Sequence, residues 1–285
     1  MIVPILFFCS GATALVYEVV WSKYLTLMFG STVQAQTMVL AVFMGGLALG
    51  NRLFGRKSDR APQPLAWYGY IEVAIGLYAF FFNRIYDAAD GLFVALGSGQ
   101  LDRGWLVLLP KGALSVLLLL GPTVLMGGTL PLLAAWLKRQ STDPGRWSAR
   151  FYSINSLGAV AGSFLAGFFL VRSLGMVSTL QMTALTNVLV GFAAVGIARM
   201  HGDAAPAKDA ATIPANQADP EARQIFRAAC VLVALTGAIS MGLEVLASRS
   251  LVLIFGAPLI LRCWPRGPAW GAATGTAPVT WRRSV

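Results

Sequence analysis

The sequence predicts an all-α fold: a polytopic transmembrane helical bundle. Three observations carry that reading. Apolar residues fill 56% of the 285 positions and charged residues 12%, about half the ~25% charge of an ordinary soluble domain. Apolar runs of around 20 residues, enough to cross a bilayer core, recur along the chain. One such run is written twice. Ser10–Gly30 reads SGATALVYEVVWSKYLTLMFG and Thr236–Gly256 reads TGAISMGLEVLASRSLVLIFG, with nine identities over 21 positions at a constant offset of 226. The repeat keeps Glu18 as Glu244 and replaces Lys23 by Arg249. It marks the start of two halves of a membrane protein.

The elements follow in order. A first helix is expected over 2–28; no basic region precedes Ile2 and the apolar run continues past Trp21, so it is not a cleavable leader. The second, over 33–54, is a clean apolar segment ending in cations. The third, over 64–84, carries Glu72 in WYGYIEVAIG, and Asp87–Arg103 after it reads as a loop with room for a short interfacial helix. The fourth, over 106–137, is long enough to be tilted, bent or split. The fifth spans 150–171, the sixth 175–199 and the seventh 225–255. His201–Glu221 is rich in Ala, Pro and Asp and reads as a flexible linker. The expected organisation is a six-helix bundle over 1–200, a cytoplasmic linker over 201–224, the first helix of a second repeat over 225–256, and an aberrant tail over 257–285. In the tail Pro, Gly, Trp and Arg replace the helix that the repeat calls for. The expectation is disordered or out-of-frame sequence in a truncated second half.

The net charge of +10 has a topological explanation. Arg52, Arg56, Lys57 and Arg60 lie between helices two and three; Lys138, Arg139, Arg146 and Arg150 between four and five; Arg199, Lys208, Arg223 and Arg227 between six and seven. Lys23, Arg84, Arg103, Lys111 and Arg172 fall on the other side. By the positive-inside rule the amino terminus is cytoplasmic. A nucleic-acid partner is not needed; the partner is the lipid bilayer.

Several residues are candidates for function. An ionisable group inside a membrane helix is costly and by default functional, which singles out Glu18, Glu72 and Glu244. Lys23 and Arg249 follow two of them by five positions, off the same helix face. For Glu18 and Glu244 the competing reading is a carboxylate reaching toward interfacial water. Gly55–Arg60, GRKSDR, places Gly55, Asp59 and Arg60 in a cytoplasmic turn: Gly permits close helix approach, and Asp pairs with a helix end or an Arg across a gate. Pro122, Gly127, Gly128 and Pro131 in GPTVLMGGTLPLL would break or kink the fourth helix and bare backbone to a cavity. Asn155 and Ser156 would face the same interior or simply cross-link helices. Gly46-x-x-x-Gly50 and Gly158-x-x-x-Gly162 suit close packing of helices within the chain. There is no phosphate-binding loop for ATP, and the single histidine, His201, rules out a Ser/His/Asp triad. Cys9, Cys230 and Cys263 lack metal-ligand spacing. No cofactor, metal site or catalytic residue is expected.

Taken together, the segments SGATALVYEVVWSKYLTLMFGST, AVFMGGLALGNRLFGRKSDR, YIEVAIGLYA, GPTVLMGGTLPLL and FYSINSLGAVAGSFLAGFFL resemble the membrane region of the fused major-facilitator/spermidine synthase proteins of bacteria, over about residues 8–256. The resemblance implies a major-facilitator-like first half of six helices in the inner (cytoplasmic) membrane. It also implies a soluble aminopropyltransferase domain in full-length members. GRKSDR matches only the first part of the family's signature loop, since Ala61-Pro62-Gln63-Pro64 stands where Gly-Arg-Arg is usual. This sequence contains no βαβ pattern, Gly-rich nucleotide loop or acidic diamine cluster, so aminopropyl transfer is not assigned to it. The expected function is a transporter-like domain binding a cationic solute, such as a polyamine, or protons. The alternatives are a non-transporting membrane anchor or complex subunit for a soluble aminopropyltransferase or other partner, and a truncated product without function; a homo-oligomer or a soluble synthase partner is the expected company.

Overall fold

The computed structural model describes residues 2–30, 32–95, 104–140, 143–201 and 220–262. Among them all regular structure is helical: α1 (Ile2–Phe29), α2 (Thr32–Ser58), α3 (Pro64–Ala95), α4 (Gly104–Gln140), α5 (Pro144–Leu165), a π-helical segment (Ala166–Leu170), α6 (Val171–His201) and α7 (Pro220–Arg262). Among the described residues six helical stretches are long and apolar enough to cross a membrane: Ile2–Phe29, Val33–Ser58, Pro64–Ala95, Leu109–Gln140, Gly145–Met200 and Gln224–Glu244. The fifth, at 56 residues, is more than twice the ~20 a crossing needs. It turns at Gly175, whose φ of 77° and ψ of 173° are non-helical. That backbone region is essentially reserved for glycine.

The chain forms two compact units, Met1–Ala211 and Thr212–Val285. In the first, α1 to α6 alternate in direction. Phe8 and Ala12 of α1 meet Gly158 and Gly162 of α5, so this pair is parallel. Gly46 and Gly50 of α2 meet Thr123 and Gly127 of α4, also parallel. Ser10 and Tyr24 of α1 bond Glu72 and Asn83 of α3 in the same sense. By contrast α6 runs against α3, with Gly69 beside Gly191 and Gly76 beside Ala184. Tyr78 with Leu118, and Lys111 over Phe93, set α4 against α3. The 2–3 turn, the 4–5 turn and the end of α6 therefore share one end of the bundle, and Arg52, Arg56, Lys57, Arg60, Lys138, Arg139, Arg146, Arg150 and Arg199 gather there.

α1 packs against every other helix of this unit. Tyr17 and Trp21 stack at 5.3 Å, and Phe82 and Tyr86 of α3 extend the column toward the other end. Glycines set the closest approaches. A Cβ added at Gly158 or Gly162 would collide with backbone carbonyls of Phe8 or Ala12, and one at Gly50 with that of Val124. Small-residue spacing of this kind lets helix backbones touch, so that dispersion between them holds a bundle in lipid.

Three expectations are corrected. α3 continues to Ala95, so Asp87 and Asp90 lie on a helix; Asn83 donates to Asp87 one turn on at 3.2 Å. α4 is unbroken through Pro110, Pro122 and Pro131. Pro122 leaves the Leu118 carbonyl without its helical donor, and the Tyr78 hydroxyl donates to that carbonyl at 2.7 Å. Bare backbone is thus satisfied by a neighbour. Among its described residues the second unit, taken by itself, is one helix, α7, and it runs through Gly256 to Arg262. Its counterpart Gly30 ends α1, with φ of 71° and its N–H donating to the Thr26 carbonyl. The linker residues 202–219 and the tail 263–285 lie outside the described residues, as does the side chain of Arg249.

Candidate functional site

A cavity of about 350 Å³ lies within the first unit, walled by all six helices. α3 brings Glu72, α1 brings Ser10 and Thr13, α6 brings Asn187, and α5 brings Tyr152, Asn155 and Ser156. Phe43, Met44 and Leu47 of α2 and Met126 and Leu130 of α4 form the apolar walls. Glu72 is 1% exposed and Asn187 2%. The Ser10 hydroxyl donates to Glu72 Oε1 at 2.5 Å. Asn187 Oδ1 has no hydrogen-bond partner among the described residues. A Cβ added at Gly76, one turn beyond Glu72, would stand 3.2 Å from Asn187 Cβ, so the carboxyl and the amide occupy adjoining levels where α3 meets α6. No basic side chain lines the cavity among the described residues.

Burial of this kind has a physical cost. A carboxyl group removed from water must be hydrogen-bonded or paired, and an amide oxygen left bare at 2% exposure is uncommon in a folded protein. The lining combines one carboxyl group with neutral hydroxyl and amide side chains and no basic side chain among the described residues. Chemically it suits a ligand that brings positive charge.

The structure separates the sequence candidates. Glu72 and Asn155 line the cavity. Gly11 lets Asn155 approach, since a Cβ there would collide with the Asn155 backbone carbonyl. Glu18 is half-buried on α1 away from the cavity lining, and Lys23 is exposed. Glu244 is exposed on α7 in the other unit. Gly127 and Gly128 are packing positions, against the Leu47 backbone and the Phe54 ring. Sequence reasoning passed over Ser10 and Asn187. Both are polar residues in apolar helices, a cue that was present but uncharged.

The 2–3 turn forms a second polar cluster. Asp59 pairs with Lys138 at 3.0 Å, both exposed. The Arg139 guanidinium donates to the carbonyls of Asp59, Ala61 and Pro62 at 3.1, 2.7 and 3.1 Å. The end of α4 is thereby tied to the turn. Arg60 is exposed. Gly55 has nothing within 4 Å of an added Cβ, which corrects the expected close approach there.

Comparison with known proteins gives a distant relative. The chain is 28% identical over 191 residues, 66% of its length, to polyamine aminopropyltransferase 2 of Streptomyces coelicolor. It spans 32% of that protein, about a third of the relative's length. No family model matches the chain, and no solved structure matches it.

Proposed function

We propose that this chain is an integral membrane protein of the bacterial inner membrane whose six-helix bundle binds a cationic solute, or a proton, at Glu72. The observation that carries the reading is a carboxyl group sealed in the bundle at the wall of a cavity lacking basic side chains among the described residues. Intramembrane carboxyls of this kind mark solute and proton paths. A polyamine context is supported by the name of the relative. The alternating helices and their crowding of cations at one end support a major-facilitator-like half-bundle with that end, and the amino terminus, in the cytoplasm.

The test is uptake of radiolabelled methylammonium and putrescine into proteoliposomes. Wild-type protein should accumulate at least one cation and Glu72→Gln neither. Uptake that is absent, or indifferent to the substitution, removes Glu72 as a transport site. Thiol labelling of single cysteines placed at Asp143 and at Gly104 tests the orientation; modification of the former from the periplasmic side would reverse it.

The second reading is a membrane anchor for a soluble synthase, and the aminopropyltransferase relative favours it. Under that reading the bundle transports nothing and retains an aminopropyltransferase on the membrane during purification.

A further inference from the structure

We infer that the cavity is a socket for one primary ammonium group on an apolar body, and that it discriminates against diamines. The inference rests on the proposed cation site and specifies its ligand.

Four observations carry it. Glu72 is the sole acidic side chain lining the cavity among the described residues. One buried carboxylate balances one positive charge. Asn187 Oδ1, buried and without a partner, supplies a second acceptor beside it. A primary ammonium has three donors. Glu72 and Asn187 can take two, and Glu72 retains acceptor capacity beyond the Ser10 hydroxyl because a carboxylate accepts roughly four hydrogen bonds. The lining also includes the apolar side chains of Met44, Leu47, Ile75, Met126 and Leu130. These would receive an alkyl chain, and methionine adapts to chains of differing shape. A second ammonium among the same side chains would have no counter-charge, and an unpaired charge in an apolar site is strongly disfavoured.

The full chain in detergent micelles at neutral pH is titrated calorimetrically with n-butylammonium and with butane-1,4-diammonium. Butylammonium should bind the more tightly, and Glu72→Gln should weaken it roughly 10- to 100-fold, the range for loss of a hydrogen bond to a charged group. Asn187→Leu should weaken it less while leaving Glu72 in place. Asn187→Asp, which adds a second carboxylate, should reverse the preference toward the diammonium ion. That reversal is a readout that loss of folding does not imitate. Tighter, Glu72-dependent binding of the diammonium ion to wild-type protein would overturn the socket while leaving the cation site standing. Binding of neither ion, or binding indifferent to Glu72→Gln, would overturn both.

Discussion

Gly50 offers a direct test of the seam between α2 and α4. In Gly50→Ala the new methyl would collide with the Val124 carbonyl oxygen and lie 2.9 Å from Gly127 Cα. Both obstacles are backbone, so no side chain can rotate away and the two helices must separate. Overfilling a packed interior costs about 1–3 kcal/mol, and rigid obstacles favour the upper part of that range. Alanine returns up to about 1 kcal/mol through its helix propensity. The net expectation is a loss of about 1–2 kcal/mol, a factor of roughly 5–30 in the unfolding equilibrium. Gly45 lies in the same helix with nothing within 4 Å of an added Cβ, so Gly45→Ala keeps only the propensity gain and should be neutral or stabilising by up to about 1 kcal/mol. The assay is reversible unfolding in mixed micelles with rising dodecyl sulfate, followed by tryptophan fluorescence, to which the fully buried Trp21 contributes. Equal stability of the two variants would refute the backbone-contact argument.

Two further perturbations probe the turns. Gly175→Ala should lose about 1–3 kcal/mol because its backbone conformation excludes side chains. Gly167→Ala should not: both sites have open space around them, so the backbone angle alone distinguishes them. The same unfolding assay decides, and matched stabilities would remove Gly175 as an obligatory hinge. At the other end, Arg139→Ala deprives three carbonyls of their donor and should speed proteolysis within Asp59–Pro62. Lys138→Ala removes only an exposed ion pair, worth about 0.2–1 kcal/mol. It should leave the cleavage rate within twofold, and a larger effect than Arg139→Ala would reverse the assigned roles.

The sequence made the scaffold largely readable because membrane helices announce themselves one at a time. Apolar length places α1 to α6, and Gly46, Gly50, Gly158 and Gly162 foretold which helix faces would touch. The errors arose where local chemistry was countered by a neighbour. Asp87 and Asp90 looked like loop residues, yet Asn83 joins Asp87 within a helix. Pro122 looked like a break, yet Tyr78 from α3 fills the gap it leaves. The site was half-readable. Glu72 stood out by its charge, whereas Ser10 and Asn187 gain meaning only when α1, α3 and α6 come together, a juxtaposition no spacing along the chain encodes. Glu18 looked equivalent to Glu72 by residue type and is set apart only by where α1 directs it.

The bond between Ser10 and Glu72 also bears on the order of assembly. A nascent chain emerges at about 5–20 residues per second, so α1 and α3 are complete well before α5 and α6. The acidic side chain of α3 need not wait for them, because its hydroxyl partner sits on the first helix made. The hydroxyl that donates to Glu72 in the finished bundle is therefore already present when α3 is made. Asn187, on α6, is the last of the cavity's polar residues to be synthesised.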